Sequence, residues 1–227
     1  MSTHLSSEYS TLSLSFMMRK PTHDAKHPPL VILLHGYGSN EADLFGLAKD
    51  FPPEFMVILA RAPYTLSLGQ YAWFALNYSS GAAVHDAVQA ESSRLALKRF
   101  IDEVSNEFKV DTERVFLVGF SQGAIMSYSV GLTYPQLVRG IGALSGRLLE
   151  EIKPMINISR KAGEANIEVF LAHGVLDKVL PVERAREAKS YLVGLDVSLT
   201  YNEYEIPHTI STEESQALIK WLLRVNT

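Results

Sequence analysis

Four short stretches of the chain are continuously apolar: LVILLHG from Leu30, FMVILARAP from Phe55, RVFLVGF from Arg114 and IEVFLAHG from Ile167. Runs of this length suit central strands that are buried on both faces of a sheet. Ahead of them, Leu12, Leu14, Phe16 and Met18 alternate with Ser13, Ser15, Met17 and Arg19, mostly apolar against polar. That period of two predicts a half-exposed strand near a sheet edge, and the Pro- and His-rich stretch from Lys20 to Pro29 predicts a turn. Elsewhere the period lengthens. Leu97, Ile101, Val104 and Phe108 recur at helical spacing, as do Leu218, Trp221, Leu222 and Val225, so both segments predict helices with one apolar stripe. Ser211 and Glu214 have the spacing of a capping box opening the second helix. Buried strands alternating with amphipathic helices predict an α/β fold, with a mostly parallel central sheet, helices on both faces and an antiparallel N-terminal strand. No internal repeat, low-complexity stretch or linker divides the chain, so residues 1–227 are expected to form a single domain.

Composition narrows the chemistry by exclusion. The chain has no cysteine, which removes disulfides, thiolate metal sites and a cysteine nucleophile. A net charge of -4, with no block of Lys and Arg, offers no electrostatic footprint for nucleic acid or an anionic membrane surface. The opening MSTHLSSEYS lacks the basic start and apolar run of a secretory signal, and the longest apolar runs are too short to span a bilayer. A cytoplasmic protein is expected, with no integral membrane segment and no nucleic-acid partner.

In open parallel sheets, function gathers at the carboxyl ends of the strands. After the run RVFLVGF comes Ser121, and Gly119, Ser121 and Gly123 form a G-x-S-x-G pattern between that run and the candidate helix AIMSYSVGL. Glycine on both sides would let strand and helix approach closely while the serine hydroxyl projects above the sheet. A nucleophilic serine needs a base, and the base needs a group that fixes its tautomer. Of the seven histidines, His4, His23, His27 and His85 lie in polar or lid-like segments with no strand before them and are expected to be solvated. His35 and His173 each precede a glycine at a strand end, where an imidazole often bonds loop backbone. His208 follows the β-rich run LTYNEYEI and precedes the last helix, in the order of nucleophile, acid and base that α/β-hydrolases use. For the acid, Asp177 lies just past IEVFLAHG, whereas Asp196 belongs to a later connection and Asp102 and Asp111 lie upstream of the serine. The developing oxyanion needs two donors. The Gln122 backbone N–H, at the first turn after Ser121, supplies one, and Tyr37, in the glycine-rich loop LHGYGSN, offers the other.

The stretches LHGYGSNEADL, VDTERVFLVGFSQGA, AHGVLDKVLP and PHTISTEESQALIKWL resemble the phospholipase/carboxylesterase family, small α/β-hydrolases that include acyl-protein thioesterases and bacterial carboxylesterases. The resemblance runs from about Leu30 to the C-terminus. It implies an α/β-hydrolase fold with no large cap domain and no metal or organic cofactor. It also implies a triad on Ser121, Asp177 and His208, with oxyanion amides at Tyr37 and Gln122. Two positions depart from the family pattern: Pro207 stands where members often carry glycine, and Ala75 where an acid often follows the Trp-Phe pair. The expected activity is hydrolysis of short- to medium-chain acyl esters or thioesters through an acyl-enzyme on Ser121. Acyl-protein thioesterase or lysophospholipase activity, or a catalytically silent binding protein, are the alternatives. The short segment from Arg147 to Asn166 leaves little room for the cap of a peptidase. A homodimer is compatible with the resemblance, although no apolar stripe marks an interface.

The stretch from Tyr64 to Gly81 carries Leu66, Leu68, Tyr71, Trp73, Phe74, Leu76 and Tyr78 and no charged residue. Pro63, Gly69, Asn77, Ser79, Ser80 and Gly81 punctuate it too heavily for a long regular element. One reading has these side chains capping the core. The other, which the resemblance favours, has Leu66, Leu68, Trp73 and Phe74 lining a groove that leads to Ser121.

Overall fold

The computed structural model describes residues 4–5, 12–22, 26–77, 79, 83–156, 158, 167–195 and 197–226. Eight strands form the central sheet in the order β1-β2-β4-β3-β9-β10-β11-β12. They are β1 (His4–Leu5), β2 (Phe16–Arg19), β3 (Leu30–Leu34), β4 (Met56–Ala60), β9 (Val115–Phe120), β10 (Gly140–Leu144), β11 (Ile167–Gly174) and β12 (Val197–Tyr204). From β4 to β12 every pairing is parallel, while β2 runs antiparallel to both β4 and β1. The four apolar runs are β3, β4, β9 and β11. Two small hairpins stand apart from the sheet: β5 (Tyr64–Ser67) with β6 (Gln70–Ala72), and β7 (Leu76–Asn77) with β8 (Val84–His85).

Alternation along the strands sorts the core into two layers. Leu30, Ile32 and Leu34 of β3 face the cluster covered by α2 (Ala87–Phe108), α3 (Gln122–Gly131) and α4 (Glu183–Val193). Val31 and Leu33 face the opposite cluster, covered by α1 (Phe45–Ala48) and α5 (Thr212–Val225). The predicted stripes are the ones buried: Leu97, Ile101 and Val104 on α2, and Leu218, Trp221, Leu222 and Val225 on α5. Among the described residues, no helix is long and apolar enough to cross a membrane.

The N-terminal strand needs correction. It covers only Phe16–Arg19, and its residues are buried except for Met17, which is half-buried. Strand β1 occupies the edge beyond it. Phe16 packs against Phe100 with ring centroids 5.6 Å apart, and the Arg19 guanidinium donates to the carbonyls of Phe51 and Pro52 at 3.0 and 2.9 Å. A buried arginine whose terminal nitrogens donate to backbone carbonyls looks, in sequence, like the polar half of an exposed strand.

The capping box at the start of α5 is formed. Ser211 Oγ accepts the Glu214 N–H at 3.1 Å, and Glu214 Oε2 accepts the Ser211 N–H at 3.4 Å. Glu214 is fully buried and its Oε1 has no hydrogen-bond partner among the described residues. Burial pushes its carboxyl up from 4.5 to about 7. The folded state therefore holds the proton more tightly than the unfolded one. This contribution to stability is complete below the unfolded value of 4.5 and is lost as pH rises through about 7. Glu214→Gln keeps the shape of the cap and removes the titration. In urea unfolding at about pH 5 to 8, wild type should lose on the order of 2–3 kcal/mol relative to the variant. Parallel pH profiles for the two proteins would show that the carboxylate is solvated in the native state.

Candidate active site

Between β9 and α3 stands a single residue, Ser121, with φ 54° and ψ −117°. A non-glycine residue in that region costs on the order of 1–3 kcal/mol and persists only where its surroundings dictate it. The flanking glycines do so by sterics. A Cβ on Gly119 would lie 2.2 Å from the Gly123 carbonyl, and one on Gly123 only 2.0 Å from the Leu34 carbonyl oxygen of β3. Strand and helix thus meet closer than any side chain permits. The Ser121 N–H donates to Leu144 O of β10 at 2.9 Å, and Ser121 O accepts the Ile125 N–H at 3.1 Å.

Asp177 sits in the turn after β11 and is buried. Its Oδ1 accepts the N–H groups of Val179 and Leu180 at 2.8 and 2.9 Å, which leaves Oδ2 to face His208 Nδ1 at 2.6 Å. His208 comes from the connection between β12 and α5, and its Nε2 lies 2.9 Å from Ser121 Oγ. A carboxylate can only accept, so the ring proton sits on Nδ1 and Nε2 is free to accept from the serine hydroxyl. Two backbone bonds hold the acid and histidine loops together: Val175 N–H to Tyr204 O at 2.8 Å and Leu176 N–H to Ile206 O at 3.1 Å. The three residues singled out in sequence therefore meet in one hydrogen-bonded line.

The competing histidines have other duties. His35 is buried, donates from Nδ1 to Gly36 O at 2.8 Å and accepts the Ala62 N–H on Nε2 at 3.1 Å, so both nitrogens are occupied. Burial holds its pKa below the ordinary value. His173 donates from Nε2 to Leu180 O at 2.7 Å, with Asp177 Oδ2 3.3 Å away, and so ties the acid's turn to the end of β11. His27 bonds Lys109 O from an exposed position. His23 and Asp196 lie outside the described residues, as does the side chain of His4.

Gln122 opens α3 and is buried. Its side-chain Oε1 accepts the Trp73 N–H and its Nε2 donates to Phe74 O, both at 2.7 Å, locking the helix start to the segment before α2. The Tyr37 loop is fixed against β6 by the bonds Gly38 N–H to Tyr71 O at 2.9 Å and Tyr71 N–H to Ser39 O at 2.8 Å. Among the described residues, the backbone N–H groups of Tyr37 and Gln122 have no protein acceptor.

Ser121 and His208 open onto a cavity of about 830 Å³ that Tyr37 and Gln122 also line. Its apolar wall comes from Phe74, Leu76, Ile125, Leu180 and Pro181. Of the four residues expected in a groove, only Phe74 is there. Trp73 is fully buried, and its indole N–H donates to His35 O at 3.0 Å, so it braces the loop from beneath. Leu66 and Leu68 lie on and beside the β5–β6 hairpin, 39% and 102% exposed, away from the cavity wall. The hairpin turns Leu66 and Leu68 outward while Tyr71 and Ala72 pack inward, which composition alone could not reveal. Tyr78, Ser80 and Gly81 lie outside the described residues, as do residues 157 and 159–166 of the stretch from Arg147 to Asn166. His85 also needs correction. Instead of standing in solvent it is half-buried in the cavity wall, paired with Glu151 and accepting from Arg147 at 3.1 Å.

A family model described as phospholipase/carboxylesterase matches residues 21–226. Acyl-protein thioesterase 1 of Mycosarcoma maydis is 29% identical, over 93% of this chain and 97% of that protein. The crystal structure of esterase PE8 is 29% identical, with a TM-score of 0.77 over 93% of this chain and 99% of that one. A Bacillus cereus carboxylesterase, 22% identical, shares the fold with a TM-score of 0.77 over 95% of this chain and 96% of that one. The chain belongs to the phospholipase/carboxylesterase family and is a serine hydrolase of the carboxylesterase and thioesterase class.

Proposed function

We propose that the chain hydrolyses short- to medium-chain acyl esters or thioesters through an acyl-enzyme on Ser121. The observation that carries this reading is the unbroken line from Ser121 Oγ through His208 to Asp177, at 2.9 and 2.6 Å. His208 Nε2 takes the serine proton as Oγ attacks the carbonyl carbon, and Asp177 stabilises the imidazolium that forms. The N–H groups of Tyr37 and Gln122 hold the oxyanion, each such donor contributing on the order of 3 kcal/mol to the transition state. His208 then hands its proton to the departing alcohol or thiol. A water, activated by the same nitrogen, releases the acid and restores the serine. The apolar wall would hold the acyl chain, each buried methylene contributing about 0.8 kcal/mol. The scheme uses no metal or organic cofactor. A silent binding protein would gain nothing from holding Ser121 in a costly backbone conformation, which favours catalysis over mere ligand retention.

Labelling with a fluorophosphonate probe tests the reading. One adduct per chain is expected, mapped to the peptide that carries Ser121, and none on Ser121→Ala. A folded wild-type protein that takes no label would sink the acyl-enzyme.

A further inference from the structure

Arg147 follows the end of β10, one strand over from Ser121, and its half-buried side chain lines the same cavity. Within the described residues it makes no ion pair. Its one hydrogen bond to the protein runs to His85 Nδ1 at 3.1 Å. A guanidinium only donates, so Nδ1 accepts and the His85 proton sits on Nε2, where Glu151 takes it. Glu151, which acts on Arg147 through space, is joined to it by hydrogen bonds only through the imidazole. Glu150, the other neighbouring acid, pairs with Lys153 at 2.7 Å. Burial holds the Arg147 pKa below its ordinary value, with Glu151 opposing and Arg184 reinforcing that shift. A guanidinium stays charged regardless. Arg184, on α4, also reaches the cavity wall but is paired with Glu187 at 3.0 Å, and among the described residues no Asp or Glu lines the cavity.

We propose that the cavity selects substrates that carry a carboxylate at the end of a short apolar segment, with Arg147 as its anchor. This rests on the esterase reading above. The apolar wall accounts for the hydrocarbon part, and a half-buried cation short of an acid partner accounts for the charged end. An anion there would complete hydrogen bonding that the protein leaves unfinished, and charge-assisted bonds of this kind are among the stronger ones.

The test separates binding from turnover. Calorimetric titration of Ser121→Ala should show monomethyl glutarate binding about 10- to 100-fold more tightly than neutral dimethyl glutarate. Adding Arg147→Gln should erase most of that gap, and Arg147→Lys should restore part of it. With active wild type, kcat/KM for mono-p-nitrophenyl glutarate is compared with p-nitrophenyl pentanoate, which places the charge on the acyl side. 4-Acetoxybenzoate compared with its methyl ester places it on the leaving group. Preference for the anion in either pair, weakening as NaCl is added, supports the proposal and assigns the side. If titration and both kinetic pairs show no preference in wild-type Arg147 proteins, the proposal is overturned even should the variants fail to fold. A binding preference with no turnover of any ester would sink the esterase reading alone.

Discussion

Asp177→Asn is expected to lower kcat by about three to four orders of magnitude while the protein stays folded. The asparagine carbonyl can still accept the Val179 and Leu180 N–H groups that Oδ1 accepts now, so the turn is preserved. What changes is the atom facing His208 Nδ1 at 2.6 Å, which becomes an NH2 donor. Nδ1 must then accept, the ring proton moves to Nε2, and Nε2 can no longer take the proton of Ser121. KM should change little, because substrate touches neither atom, and the fluorophosphonate labelling rate should fall in parallel with kcat. Near-normal turnover in a folded Asp177→Asn protein would mean that another group orients the histidine.

The second large effect concerns stability. Gly123→Ala would place a methyl group 2.0 Å from the Leu34 carbonyl oxygen and 2.8 Å from that of His35. Both neighbours are backbone, so α3 must withdraw from β3 or the strand must bend. We expect a loss of more than about 4 kcal/mol, or no folded protein. Gly46→Ala is the comparison: nothing lies within 4 Å of the new methyl group on α1, and the change should be neutral or stabilising by up to about 1 kcal/mol. Equal urea midpoints for Gly123→Ala and wild type would show that the close approach of helix to strand is not needed for folding.

What could be read in the sequence followed from which interactions leave a local pattern. Strands β3, β4, β9 and β11 are buried on both faces, so every residue type along them is constrained and the runs stand out. Strand β10 has the same environment, but its sequence GIGAL is made mostly of small residues that signal neither strand nor helix. Helix α4 buries only Ala185, Ala188 and Leu192, a stripe too thin to register. In the site, Ser121, Asp177 and His208 were accessible because each follows an apolar or β-rich run, and their chain order restricts the roles. Trp73 misled because a large aromatic in an irregular segment reads the same whether it faces a ligand or the underside of a loop. Arg147 and His85 gave no signal at all. Arg147 depends on β10, whose small residues do not read as a strand, and the contact joining it to His85 spans 62 residues. Only the folded chain brings them together.

Helix α3 is buried at every position from Gln122 to Gly131, whereas Glu205, Pro207 and Thr209 around His208 are exposed. Those two environments belong to opposite ends of the protein's opening spectrum. Amides in α3 are therefore expected to exchange with solvent only through global opening, while the histidine loop needs to shed only a few backbone bonds. On warming, the loop should let go first, carrying the imidazole out of line while the serine stays in its turn. Activity should then fall below the unfolding temperature and return on cooling, and inactivation that coincides with loss of the far-UV signal would show that loop and core open together.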